Sequence, residues 1–252
     1  MQRMMITSDN IKIAYEEHGF GIPVLLIHGW AATRNFWRGV KELEGFRTIL
    51  PDLRGHGESD RAKSYTKERI ILDLYELAVG LGLKELCIVG HSLGGIIATK
   101  FAVSFPEFTI RKLILVATPP IFKIGKFKRM LTTLMLYLFN PILRRRFTPK
   151  TLYRRDKELL EFIWSESAKG SRRAYVKFLS AFDGESIIDD LEEIKAEKIA
   201  IIPSHDNIIP TDLQKQTYSE LCDKTIIIEE CGHNLMLEKP EEFHRILLDV
   251  LK

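Results

Sequence analysis

At 252 residues the chain is long enough to bury one sizeable core and is expected to form a single domain over 1–252. Its 45% apolar and 28% charged content is that of a soluble globular chain, and a net charge of +3 does not by itself point to a nucleic-acid partner. Three cysteines, Cys87, Cys222 and Cys231, fit neither a disulfide framework nor a zinc site, and the first ten residues lack the apolar run of a secretion signal, so a cytoplasmic protein is expected.

In chain order, residues 11–17 alternate apolar and polar and read as an early antiparallel strand. Near-continuous apolar runs at 24–27, 47–50, 86–89, 113–116, 199–202 and 225–228 read as buried strands. Helical patterns lie between them, including 66–81 with Ile70, Leu74, Leu77, Ala78 and Leu81 on one face. Such alternation predicts an α/β fold with a mostly parallel central sheet and helices on both faces. Ligands of such sheets bind at the carboxyl ends of the strands.

Three of those ends carry residues with a shared chemistry. After 86–89 comes Gly90-His91-Ser92-Leu93-Gly94, then the helical pattern Gly95-Ile96-Ile97-Ala98-Thr99. A strand, a sharp turn and a helix around G-x-S-x-G lift the serine hydroxyl above the sheet, and the flanking glycines let strand and helix approach. A serine hydroxyl is a poor nucleophile unless a base takes its proton and a third group orients that base. Asp206 follows 199–202 and His233 follows 225–228, so acid and base are both present, each in a loop past a strand end. Asp212 is a nearby alternative acid.

These motifs resemble the α/β-hydrolase superfamily, in particular its small single-domain esterase-like members. His28-Gly29-Trp30 resembles the family's oxyanion loop, and Asp52-Leu53-Arg54-Gly55-His56-Gly57-Glu58-Ser59 its loop after the next strand. Gly232-His233 with Glu238-Lys239-Pro240 resembles the histidine loop and last helix. The resemblance implies an α/β-hydrolase fold with a helical cap inserted at about 119–185. It implies a carboxylic ester hydrolase with Ser92 as nucleophile, His233 as base and Asp206 as its orienting acid. Backbone N–H groups of Trp30 and Leu93 would form the oxyanion hole, with no cofactor and no metal. The other position for the acid in this superfamily is empty, because Ala117-Thr118-Pro119-Pro120 offers no carboxylate. Serine at 92 argues against dehalogenases and epoxide hydrolases, relatives with aspartate at the elbow. Thioesterases, carbon–carbon bond hydrolases, perhydrolases and acyltransferases share the same apparatus, and a receptor-like homologue that binds without turnover is the non-enzyme alternative.

His28 and His56 are expected to bond loops beneath the cleft and His91 to pack the elbow, while His18, His205 and His244 read as surface residues. Asp52 and Arg54 are expected to brace their loop, and Cys231 to be a small buried thiol. Between Pro120 and Leu160, eleven Lys or Arg face two acids, a local charge of +9 that leaves −6 on the remainder. Within that stretch, 130–139 is apolar on more than one helical face. It is consistent with a lining for a lipophilic acyl group, with a transient membrane-surface or acidic-partner contact, or with a packed cap helix. No motif supports nucleic-acid binding or a phosphate cradle.

Overall fold

The computed structural model of the chain describes residues 2–125, 130–134 and 148–252. Its centre is an eight-stranded sheet formed by β1 (Gln2–Ile6), β2 (Lys12–Gly19), β3 (Ile22–Ile27), β4 (Phe46–Pro51), β5 (Glu85–His91), β6 (Thr109–Val116), β9 (Glu197–Pro203) and β10 (Lys224–Ile228). The order is β1-β2-β4-β3-β5-β6-β9-β10, antiparallel across β1, β2 and β4 and parallel from β4 onward. The α/β reading is thus realised, and the six apolar runs lie within β3 to β6, β9 and β10. The strands extend past those runs because their ends are half-exposed and carry polar residues, as at Thr109–Lys112 of β6. Strand β1 has no apolar alternation to announce it. It is an edge strand whose Met4 and Ile6 are exposed and whose stability comes from pairing with β2.

Strand alternation divides the core in two. Leu25, Ile27, Ile88 and Leu115 face one cluster, with α1 (Lys67–Gly80) and α2 (Leu93–Ser104) packed on it through Leu74, Leu77, Ile97 and Phe101. Val24, Leu26, Val89 and Val116 face the other, covered by the 3₁₀ helix Arg34–Val40 and the C-terminal helix. Helix α1 begins where the sequence places it because the Thr66 hydroxyl accepts from the Arg69 N–H at 3.3 Å, an N-cap.

Beyond β6, the two-residue strands β7 (Ile121–Phe122) and β8 (Glu185–Ser186) pair antiparallel. Between them lie α3 (Lys157–Lys169) and α4 (Arg172–Ala181). The chain then runs through α5 (Ile188–Glu193), α6 (Thr211–Leu221), α7 (Leu235–Glu238) and α8 (Pro240–Leu251). Of the apolar stretch 130–139, residues 130–134 are helical with Met130, Leu131 and Leu134 exposed, and 135–139 lie outside the described residues. Among the described residues no helix is long and apolar enough to cross a membrane.

Candidate active site

Ser92 stands between β5 and α2 at φ +54°, ψ −122°, a left-handed conformation that a side-chain-bearing residue adopts only under local constraint. The constraint is steric. A Cβ on Gly90 would collide with the Gly94 carbonyl, and one on Gly94 with the Ile27 carbonyl, so the helix start is wedged against β5 on one side and β3 on the other. Sequence spacing explains the first contact; the second, to a neighbouring strand, is tertiary. The Ser92 N–H donates to Val116 at 2.8 Å, which locks the turn to β6.

The same backbone wiring continues across the sheet edge. Ala117 N–H donates to Ile201 at 3.0 Å, Ser204 N–H to Ile228 at 2.9 Å and His205 N–H to Cys231 at 3.1 Å. Four neighbouring loops are therefore tied in register, and they bring Ser92, Asp206 and His233 together across as many as 141 residues of sequence. His233 Nδ1–H donates to Asp206 Oδ2 at 2.8 Å, leaving Nε2 to accept the Ser92 hydroxyl at 3.0 Å. Asp206 Oδ1 accepts the Ile208 and Ile209 N–H groups at 2.8 and 2.9 Å, and Oδ2 also accepts Gln214 Nε2 at 3.3 Å. Burial pushes the Asp206 carboxyl up, but His233 and the two backbone donors outweigh it and hold it below the ordinary carboxylate range. Asp212, the alternative acid, is exposed in the first turn of α6.

Next to Ser92 lies the loop after β3. A Cβ on Gly29 would lie 3.1 Å from the Ser92 Cβ, so this loop rests on the elbow. The Trp30 backbone N–H has no hydrogen-bond partner among the described residues. Leu93 opens α2, ahead of the first intrahelical bond, so its N–H is also free of helical pairing. The arrangement can transfer a proton from a hydroxyl to an imidazole whose cation is stabilised by a carboxylate.

The profile of the Alpha/beta hydrolase family matches residues 24–246 of the chain. This chain is an alpha/beta hydrolase. It is 27% identical to the soluble epoxide hydrolase of Corynebacterium sp. over 91% of this chain and 90% of that one. Among solved structures it resembles an esterase of Exiguobacterium antarcticum (TM-score 0.90, 24% identity, 99% of both chains). It resembles equally a bromoperoxidase of Bacillus anthracis (TM-score 0.90, 23% identity, 100% and 99% of the chains). The two structural likenesses establish the fold.

In this hydrolase the histidines divide as the sequence suggests, with three adjustments: among the described residues His56 bonds only the Arg54 carbonyl of its own loop, at 3.2 Å, and His18 and His244 are not fully at the surface. Buried His28 donates Nδ1–H to the Gly29 carbonyl at 2.8 Å and accepts the Leu53 N–H at 3.0 Å, joining the two loops beneath the site. His56 is buried against Tyr175 and Phe178, and desolvation pushes its pKa down to about 3. His91 donates Nε2–H to the His233 carbonyl at 2.9 Å and is likewise pushed down by burial to about 3, so it stays neutral beside the base. His205 is exposed, but His18 and His244 are only half-exposed, because each is bonded, to Glu16 and to the Gly39 carbonyl.

Asp52 accepts the Arg34 and Glu58 N–H groups and pairs with the Arg34 guanidinium. Arg54 is fully buried on Asp73 and Asp9. Both brace their loops. Cys231 is buried, its thiol pushed up by burial to about 12 and so protonated. Sequence reasoning missed Gln214, whose only signal is its place on the helix that follows Asp206. It also assigned no role to Glu238, which accepts the Gly232 and Tyr153 N–H groups at 3.0 and 2.7 Å and so ties the histidine loop to the segment between β7 and β8.

Proposed function

We propose that this alpha/beta hydrolase is a carboxylic ester hydrolase working through an acyl-Ser92 intermediate. The observation that carries the reading is the continuous Ser92–His233–Asp206 relay on a strained elbow, with the Trp30 and Leu93 N–H groups beside it. Ser92 Oγ attacks the ester carbonyl carbon while its proton passes to His233 Nε2, and Asp206 stabilises the imidazolium. The carbonyl oxygen, now anionic, accepts from Trp30 and Leu93. As the tetrahedral intermediate collapses, the proton moves from His233 to the departing alkoxide. Water then repeats the sequence on the acyl-serine, and the proton returns to Ser92 Oγ. Ester and water become acid and alcohol, and the enzyme is restored.

Serine at position 92 argues against epoxide opening. Attack of Ser92 on an epoxide carbon would leave an ether, which has no carbonyl for water to attack, so the enzyme would be consumed. The test is steady-state hydrolysis of p-nitrophenyl esters from acetyl to palmitoyl. Turnover with a chain-length optimum is expected, and Ser92→Ala should lower it about 10⁴-fold or more. Turnover that survives in Ser92→Ala overturns the proposal. Labelling of Ser92 by a phosphonate without ester cleavage moves the substrate to a thioester, carbon–carbon or acyl-transfer reaction.

A further inference from the structure

We infer that Glu166 of α3 is a positioning residue for the oxyanion hole, holding the loop that carries the Trp30 N–H through a buried link from the segment between β7 and β8. The inference rests on the ester-hydrolase reading for its kinetic consequence. Glu166 is 5% exposed in the last turn of α3, a costly site for a carboxylate unless its oxygens are satisfied. Its Oε2 accepts the Thr33 hydroxyl at 2.5 Å and the Asn35 side-chain N–H at 3.0 Å, and its Oε1 accepts Lys169 Nζ at 2.6 Å. Thr33 is itself the N-cap of the 3₁₀ helix Arg34–Val40, accepting the Asn35 N–H at 3.3 Å. One carboxylate oxygen thus fixes the cap residue and the first turn that follow the loop.

The preceding stretch is pinned at its ends, by His28 on the Gly29 carbonyl at 2.8 Å and by the Arg34 N–H on Asp52 at 2.7 Å, and is strained between them. Ala31 is at φ +55°, an unfavourable conformation for a residue with a Cβ, and the bond from Ala32 N–H to the Gly29 carbonyl is 3.3 Å long. The Trp30 indole Nε1–H donates to the Tyr175 carbonyl of α4 at 2.9 Å. Two anchors between those ends, Glu166 and Tyr175, come from the segment between β7 and β8. The Tyr175 hydroxyl, donating to the Ser167 carbonyl at 2.7 Å, ties the two anchors to each other. Phe162 on α3 packs on Phe36 at 5.9 Å between ring centroids and under the Arg38 guanidinium at 4.0 Å, so α3 meets the 3₁₀ helix along its length. An oxyanion donor acts only if it is fixed before charge develops, and a displacement of about 1 Å can cost about 100-fold in rate.

The experiment compares Glu166→Leu, Glu166→Gln and Thr33→Val with wild type, using p-nitrophenyl acetate hydrolysis and hydrogen exchange of the backbone amides of 29–35. Glu166→Leu should lower kcat about 10- to 100-fold with KM within about twofold, and should speed exchange in 29–35. Thr33→Val should follow in the same direction. Glu166→Gln keeps an oxygen for the Thr33 hydroxyl and should recover most of kcat. A Glu166→Leu variant with a lowered Tm but wild-type kcat overturns the inference, as does a loss of kcat with unaltered exchange. If wild type hydrolyses no ester, the ester reading fails. The exchange data then decide alone: faster exchange in Glu166→Leu supports the positioning role, and unaltered exchange overturns it.

Discussion

The four loops that end β5, β6, β9 and β10 and the segment between β7 and β8, which packs on the loop after β3, are held by different forces. The loops are joined to one another by main-chain bonds, from Ser92 to Val116, Ala117 to Ile201, Ser204 to Ile228 and His205 to Cys231, extending the parallel ladder one step past the strands. The segment is joined to the rest largely by side chains, through Glu166 on Thr33 and Asn35, Asn234 on the Thr151 hydroxyl at 2.8 Å, and the His56 ring on Tyr175 and Phe178, with main-chain bonds from Ser171 to Gly55 at 2.7 Å and from Asn234 to Thr151 at 3.3 Å. Main-chain bonds ask little of residue identity, so a strand-end loop needs only a few specified residues to hold a reacting group in place. Side-chain links ask for a particular pair at each point, often more than a hundred residues apart. The comparison separates chemistry, which the sheet edge fixes, from the surroundings of that chemistry, which the segment fixes.

The strongest way to break this comparison is Asp206→Asn. An amide at this position cannot stabilise the imidazolium or hold the right tautomer, and kcat should fall about 10⁴-fold with the fold intact by circular dichroism. Asp212→Asn, on the exposed face of α6, should leave kcat unchanged; equal losses in both variants would dissolve the assignment of the acid.

A second, smaller effect is acid sensitivity of the segment's contact with the loop at 52–59. His56 and His91 are pushed down to about 3 from 6.5. The unfolded chain therefore binds protons that the folded chain refuses, and stability is lost as pH falls below about 6.5, by a few kcal/mol at pH 4. Thermal melts from pH 7 to 4 should show Tm falling through this window. His56→Gln, which removes one of the titrating groups, should give a shallower slope; an identical slope would mean that His56 does not titrate with unfolding.

The smallest effect sharpens the description of the sheet edge itself. Gln214 is fully buried and supplies the fourth hydrogen bond to the Asp206 carboxylate. Gln214→Leu should lower kcat about 10-fold, the order expected for one bond to a charged group. A rate equal to wild type would show that the backbone donors of Ile208 and Ile209 suffice.

How much of this was legible beforehand follows the same division. The runs 24–27 and 86–89 announce buried parallel strands because both their faces are covered, and near-continuous apolarity leaves no polar phase to confuse. Ser92, Asp206 and His233 could be named because each is punctuation at a strand end, where Gly, Asp and Gly-His pairs mark turns. Strand β1 could not be seen, since Arg3, Met4 and Ile6 carry no alternation and the strand exists only by pairing with β2. Glu166 could not be seen either: within α3 it resembles any solvated helix carboxylate, and nothing local says that Thr33 waits beneath it.

The sequence by itself therefore determined the order of elements, the parallel core and the strand-end positions of Ser92, Asp206 and His233, because hydrophobic period and turn chemistry are local properties of a chain. Only the tertiary structure decided the 2.8 and 3.0 Å spacings of the relay, the wedge of Gly94 against β3, the neutrality of His56 and His91, and the seat of Glu166 on the loop after β3. Each of those depends on desolvation or contact between residues distant in sequence, and such terms come into being only once the segments have packed.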